Sequence, residues 1–311
     1  MEKNKLLVTG SAGFIGFHLS KSLLKDNYVV HGIDNINDYY DVDLKTNRLN
    51  ILKKYSNFKF SKIDIADYDK LLAVFKKFKP DIVVNLAAQA GVRYSLKNPF
   101  VYITSNIVGF LNIIELSKDF NVKGFIYASS SSVYGGNKKI PFSVKDSVDK
   151  PLSLYAASKR SNELIAYSYS HLYNLSTTGL RFFTVYGPWG RPDMAMYIFA
   201  NKIINGNPIQ VFNNGDMNRD FTYIDDIIKG IRLSIDKNYS CEVFNLGNNK
   251  SEKLLDIVNI IESNLNMKAV IDFKPMQPGD VKKTNADIDK SKKMLGYCPK
   301  IDVSIGIKKF I

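Results

Sequence analysis

The sequence predicts an α/β protein built on a doubly wound parallel sheet, and three observations carry that prediction. Short apolar runs alternate with helical patterns through the first half of the chain and beyond, the rhythm of repeated strand–helix units. Glycines at three-residue intervals, Gly10, Gly13 and Gly16, fall between the first apolar run and the first helix. Polar loops rich in Ala, Gly or Ser follow the strand-like runs, at the carboxyl edge where ligands sit in such sheets.

Taken in order, residues 5–9 read as a buried strand, 10–16 as a turn and 17–25 as the helix that continues it. Residues 28–33 are the second strand, ending at Asp34, and 58–63 the third, ending at Asp64 and Ile65. A helix over 68–78 and a strand over 81–86 follow, the latter running into Ala87-Ala88-Gln89-Ala90-Gly91-Val92-Arg93. Residues 100–120 read as one long helix, and the strand over 124–128 leads into Ser129-Ser130-Ser131-Ser132. The helix carrying Tyr155 extends to about residue 173, and 176–181 is a further strand.

The rhythm then changes. Residues 182–193 are rich in Gly, Pro and aromatics and mark a crossing into a second, smaller lobe. That lobe is read as a helix over 194–204, a strand over 209–212, a turn at 213–216 and a segment over 219–226 that opens another helix. A strand over 241–246, an amphipathic helix over 251–265 and a Pro/Gly-rich loop over 275–280 complete it, and the chain stops at Phe310-Ile311 within a helical pattern. The expected domains are a nucleotide-binding unit over 1–180, with a returning segment near 224–246, and a substrate lobe over 181–311 interleaved with it. There is no internal repeat or low-complexity tract.

The glycine triplet allows a tight turn, close approach of backbone to a pyrophosphate, and close packing of helix on sheet. Alone it would be weak evidence, but here it has its strand, its helix and its acid. Asp34 ends the second strand, where a carboxylate accepts from both ribose hydroxyls and repels a 2′-phosphate, so NAD is expected over NADP.

Composition narrows the class. At 311 residues the chain buries a large core, and no apolar run approaches the ~18–20 residues of a membrane span. The N-terminus enters a strand-like run, with no signal-type apolar region, so a cytoplasmic protein is expected. Two cysteines, Cys241 and Cys298, form no disulfide framework or zinc pattern and read as small apolar fillers; His18, His31 and His171 are scattered, and no metal site is expected. The net charge of +13 comes from dispersed pairs such as Lys53-Lys54 and Lys282-Lys283. Without a basic block or an aromatic-interleaved stripe, nucleic acid is not expected, whereas a polyanionic small substrate is well served.

Tyr155 and Lys159 are four apart at the start of a helical pattern, so on a helix they share a face. A free phenol titrates near 10, and a neighbouring cation favours the phenolate; reaching neutrality takes roughly 4 kcal/mol, within reach of one Lys plus a cationic nicotinamide ring. The spacing also arises by chance in Lys-rich helices. Its meaning depends on the loops beside it.

With these parts in place, the chain resembles the extended short-chain dehydrogenase/reductase family, specifically its nucleotide-sugar epimerases, over essentially its whole length. Such proteins usually continue some way past the position of Ile311. The stretches 181–195, 219–226 and 88–95 are most similar to UDP-glucuronate 4-epimerases. The resemblance implies a Rossmann-type sheet with NAD on Gly10, Gly13, Phe14, Ile15 and Gly16, its adenosine ribose on Asp34 and Asn35, and its adenine on Asp64 and Ile65. Leu86, Ala87, Ala88, Gln89 and Asn106 would line the pyrophosphate and nicotinamide side. Tyr155 would be the acid/base, Lys159 its modulator, and Ser130 the hydroxyl beside the sugar O4.

For a UDP-sugar, the same resemblance puts Arg219 and Arg93 among the substrate contacts, Gln210, Val211 and Phe212 at the uridine, and Asp280 at its ribose. Gln277 departs from the Arg usual in galactose-type relatives, and Thr184 stands where those carry Asn. A homodimer is implied, paired through the helices near 100–120 and 153–173.

Related activities differ at the serine loop. Nucleotide-sugar dehydratases resemble Thr-Asp-Glu-Val-Tyr-Gly there and need the two carboxylates to eliminate water; Ser130-Ser131-Ser132 supply none. UDP-glucuronate decarboxylases typically keep the Glu, replaced here by Ser132. A 4-keto uronic acid is nevertheless a β-keto acid, so an epimerase must restrain the carboxylate, and Arg191, Ser131 and Thr184 are the candidates. UDP-glucose or UDP-N-acetylglucosamine 4-epimerisation stays open, since sequence does not give the pocket that selects the C5 and C2 groups. A non-catalytic NAD-sensing regulator would tend to lose the Tyr/Lys pair, which this chain keeps.

Overall fold

The computed structural model describes residues 4–277 and 279–311. The chain opens with β1 (Lys5–Thr9), α1 (Phe14–Lys25), β2 (Val29–Asp34), α2 (Val42–Leu52), β3 (Phe58–Lys62), α3 (Tyr68–Phe78) and β4 (Ile82–Asn85). Short helices α4 (Tyr94–Lys97) and α5 (Pro99–Tyr102) lead through a π-helical stretch, Ile103–Val108, into α6 (Gly109–Asp119). Then come β5 (Gly124–Ser130), α7 (Leu154–Tyr173), β6 (Thr177–Phe182), β7 (Thr184–Tyr186), α8 (Ala195–Ile204), β8 (Ile209–Phe212), β9 (Asn218–Arg219) and β10 (Phe221–Tyr223). The remainder is α9 (Ile224–Lys237), β11 (Cys241–Leu246), β12 (Glu252–Lys253), α10 (Leu254–Leu265), β13 (Ile271–Lys274) and α11 (Val303–Phe310).

Seven strands make one parallel sheet in the order β11-β6-β5-β4-β1-β2-β3, the doubly wound arrangement expected. Both faces are covered, which explains the continuous apolar runs. In β1, Leu6 and Val8 enter one core layer with Phe17 and Val30, while Leu7 enters the other with Phe110 and Phe125. Connections leave in opposite directions from β1 and β4, and that crevice is where such sheets bind ligands. Three two-stranded sheets, β7 with β10, β8 with β13 and β9 with β12, build the second part of the chain. Between them the chain returns to the large sheet, where β11 pairs in parallel with β6.

Several expectations need correction. Residues 42–52 carry a helix that hydropathy does not reveal, because two of its four buried residues are Lys45 and Arg48. Its start is fixed by Asp41, whose side chain accepts from the Asp43 and Leu44 amides. The long helix expected over 100–120 is widened at Ile103–Val108, where the Asn162 side chain on α7 donates to the Asn106 carbonyl at 2.7 Å. By length and composition alone this helix, Pro99–Asp119, is long and apolar enough to cross a bilayer. Here it packs Phe110, Ile113 and Ile114 into the core. Asn218–Arg219 and Phe221–Tyr223 are two short strands, and the helix begins only at Ile224. Cys298 is exposed and Cys241 half-buried, so neither is the buried filler expected.

Beneath β5 and β6 lies a buried ion pair. Arg181 on β6 donates from Nε and Nη2 to the two Glu163 oxygens, each at 2.8 Å, and both residues are under 5% exposed. Ser129 Oγ donates to the same carboxylate at 2.6 Å. Removing Arg181 leaves the buried Glu163 carboxylate with only the Ser129 hydroxyl and the partly exposed Arg160, which reaches it at 3.1 Å. Arg181→Met is therefore expected to cost about 3–5 kcal/mol in urea unfolding. A loss under about 1 kcal/mol would show that the pair contributes little.

Candidate active site

A cleft of about 890 Å³ follows the carboxyl edge of the sheet. At one end is the glycine turn. Gly10 has φ +70° and sits so close to the loop after β4 that a Cβ there would stand 2.8 Å from the Ala87 amide nitrogen. A Cβ on Gly16 would stand 2.1 Å from the Gly10 carbonyl oxygen, so turn and helix meet only because that atom is absent. α1 starts at Phe14 with no acid in its first turn, leaving its positive end open to an anion.

Asp34 ends β2 and accepts from the amides of Ala12 (3.1 Å) and Ile36 (2.8 Å), one on each side. Burial raises its carboxyl above the usual carboxylate range, and those two amides together with Lys45 and Arg48 offset only part of that rise. Asn35 donates to Asp64 at 2.8 Å. Ile65 lies against Gly109, with Leu86, Ala87, Ala88 and Gln89 along the cleft wall after β4. A tight turn with no Cβ, an open helix N-terminus and a carboxylate at the end of the second strand fit NAD on chemical grounds. Asn106 departs from its expected place. It is buried behind the wall, accepting from the Gln89 amide at 2.8 Å and donating to the Gln89 carbonyl at 3.0 Å, so it positions Gln89 and does not line the cleft.

The centre of the cleft holds the reactive side chains. Tyr155 lies in the first turn of α7, whose N-terminus is capped by the Ser153 hydroxyl accepting from the Ala156 amide at 3.1 Å. Ser130 ends β5, and its hydroxyl contacts that of Ser132 at 3.1 Å. Burial raises the Tyr155 phenol, while the Ser130 hydroxyl and the Arg191 charge pull it down. Lys159 shares the buried face expected from the spacing but donates its ammonium to the Ala128 carbonyl at 3.0 Å. Burial lowers its pKa to about 8. The ammonium is thus engaged by backbone, and the Arg191 guanidinium is a second cation on the cleft wall.

At the far end, Arg93 pairs with Asp280 at 3.1 Å and stacks over the Phe212 ring, 4.7 Å from its centroid. Arg219 donates to the Asn218 and Lys282 carbonyls and lies within electrostatic reach of Asp280 and Arg93. Gln277 lines the same wall, its Oε1 buried without a hydrogen-bond partner among the described residues. Strand alternation separates the expected uridine trio: Gln210 and Phe212 line the cleft, but Val211 is wholly buried on the other side, so its side chain makes no cleft contact. Thr184 and Ser131 stand on the wall with Arg191.

Sequence reading missed three partners here. Arg191 donates from Nε (3.0 Å) and Nη2 to the two oxygens of Asp193, and Tyr39 donates to Asp193 at 3.1 Å. Arg48, wholly buried, donates to the Ala12 carbonyl of the glycine turn and to the Trp189 and Gly190 carbonyls. Asp193 was visible only as the end of a Gly/Pro-rich stretch, and Tyr39 and Arg48 lie in a region with no hydropathy signal.

Sheet order, glycine turn and the Tyr155, Lys159 and Ser130 group define an extended short-chain dehydrogenase/reductase. Residues 7–310 match the family described as GDP-mannose 4,6 dehydratase, and the chain belongs to that family. It is 56% identical to an uncharacterized protein of Methanocaldococcus jannaschii, over 100% of this chain and 96% of that one. With UDP-glucuronate 4-epimerase of Thermodesulfobacterium geofontis it shares 47% identity, over 98% and 94%. The UDP-glucuronic acid 4-epimerase of Bacillus cereus, solved with UDP-glucuronic acid and NAD, superposes with a TM-score of 0.93 at 38% identity, covering 98% of this chain and 97% of that one.

Proposed function

We propose that this protein is an NAD-dependent UDP-sugar 4-epimerase that interconverts UDP-glucuronate and UDP-galacturonate. The observation that carries the proposal is the grouping of Tyr155, Ser130 and Arg191 in one cleft whose serine loop holds no carboxylate. Related names support it: the curated relative and the solved neighbour described above are both UDP-glucuronate 4-epimerases.

Gly10, Gly13 and Gly16, with Asp34, would hold NAD, which when bound supplies a reversible hydride acceptor for C4 of the sugar. Tyr155 takes the proton from the 4-hydroxyl and returns it after the sugar has turned, with the Ser130 hydroxyl relaying or steadying O4. The Ser130 hydroxyl and the Arg191 charge offset part of the rise that burial imposes on the phenol, and the positive nicotinamide ring of bound NAD would add to them. Lys159, held by the Ala128 carbonyl, would contact a ribose hydroxyl of bound NAD. Arg93 and Arg219 anchor the diphosphate, and Gln210, Phe212, Gln277 and Asp280 surround the uridine and its ribose while the sugar moves. Arg191, Ser131 and Thr184 restrain the C5 carboxylate so that its electrons do not enter the neighbouring carbonyl. With Ser131 and Ser132 in the loop there is no acid/base pair for water elimination.

We further infer a cytoplasmic homodimer. Leu111 on α6 and Leu164, Tyr167 and Leu172 on α7 are exposed apolar residues on the two helices that would pair. Light scattering at micromolar concentration should give twice the chain mass, and monomer alone would remove the dimer.

Incubation with UDP-glucuronate is expected to yield UDP-galacturonate without carbon dioxide, as read by chromatography of the products. UDP-xylose as main product would make the protein a decarboxylase. Tyr155→Phe should lower kcat by about 10²–10⁴ while the purified protein keeps its NAD; wild-type turnover by that variant would contradict the mechanism.

A further inference from the structure

Arg191 is not a free cation waiting for a substrate. Two of its donors are engaged by Asp193, and the carboxylate oxygen that accepts from Nη2 also accepts from the Tyr39 hydroxyl. Tyr39 is itself fixed: its ring packs on Tyr94 at 4.8 Å between centroids, and its hydroxyl lies where a Cβ on Gly91 would come within 2.9 Å. The side chains of Arg191 and Asp193 are only 21% and 31% exposed. Burial alone would raise the Asp193 carboxyl, but Arg191 and Tyr39 hold it below the usual range, so it stays an anion.

The charge count at this spot is therefore zero before any sugar enters. A hydroxymethyl group on C5 has no charge with which to compete for the guanidinium. A carboxylate there makes two anions around one cation: Asp193 already holds the Nε/Nη2 edge, so the substrate group meets the remaining Nη1 side of a guanidinium whose charge is shared. We propose that Asp193 is a positioning residue that competes with the substrate carboxylate for Arg191, making that grip exchangeable so that the sugar can release it and turn. The proposal rests on the uronate reading above. An unopposed guanidinium in this partly buried place would hold the carboxylate more tightly in both orientations, and the turn would slow.

The test is Asp193→Asn, near-isosteric and uncharged, assayed with UDP-glucuronate and UDP-glucose and titrated with UDP. KM for UDP-glucuronate is expected to fall about tenfold, with kcat falling alongside it, while UDP affinity stays unchanged. Asp193→Glu, which restores the charge, should return KM towards the wild-type value. In an Arg191→Ala background the Asn change should leave KM for UDP-glucuronate unaffected. An unchanged or raised KM for UDP-glucuronate in Asp193→Asn would overturn the proposal, showing that Asp193 only props up Arg191. Should Asp193→Asn fail to fold, Asp193→Ser removes the same charge and is read the same way. Wild-type protein that does not convert UDP-glucuronate at all would instead sink the functional reading, and this proposal with it.

Discussion

The active centre depends on a carboxylate and a guanidinium in the dry interior, Glu163 and Arg181. Glu163 lies eight residues beyond Tyr155 and four beyond Lys159, so the three form one stripe on α7 facing the sheet. Each of the lower two grips the end of β5: Lys159 through the Ala128 carbonyl and Glu163 through the Ser129 hydroxyl. Arg181 closes the frame from β6 and stacks on Tyr134, whose hydroxyl donates to Asn245 on β11. The helix bearing the phenol is thereby locked in register with the loop bearing Ser130, and position is what general acid/base work demands.

A second frame joins the two ends of the cleft. Arg48 spans from the Ala12 carbonyl in the glycine turn to the Trp189 and Gly190 carbonyls, directly before Arg191. His18 on α1 reaches the Pro188 carbonyl at 2.9 Å from the same side. The loop that presents Arg191 is thus built onto the nucleotide-binding turn, even though the two are nearly 180 residues apart. Backbone carbonyls in a buried loop need donors, and here Arg48 supplies several at once.

The parts legible in sequence were those whose signal is local. Alternating apolar runs gave the sheet, the glycine spacing with Asp34 gave the nucleotide turn, and residues 68–78 gave α3 with its bounds intact. What escaped was long-range or polar. α2 escaped because it turns Lys45 and Arg48 inward, so its buried face is not apolar. The widening at Ile103–Val108 depends on Asn162 from another helix. The Arg181–Glu163 pair, the Asp193–Arg191 pair and the Arg48 bridge join residues whose types are unremarkable and whose meeting only the fold creates. Val211 and Asn106 show the converse: a motif names a neighbourhood, but strand alternation and burial decide which side chain enters the cleft.

In the proposed mechanism C4 is oxidised and re-reduced within one closed site, with Tyr155 handling only the proton on oxygen. The most direct measurement is the fate of the hydrogen on C4, followed by mass spectrometry and NMR with UDP-glucuronate deuterated at that carbon. The account predicts that the epimerised product carries the deuterium at C4 and that, in a converse experiment in D₂O, unlabelled substrate acquires none there. Washout of the label, or solvent deuterium at C4, would contradict it.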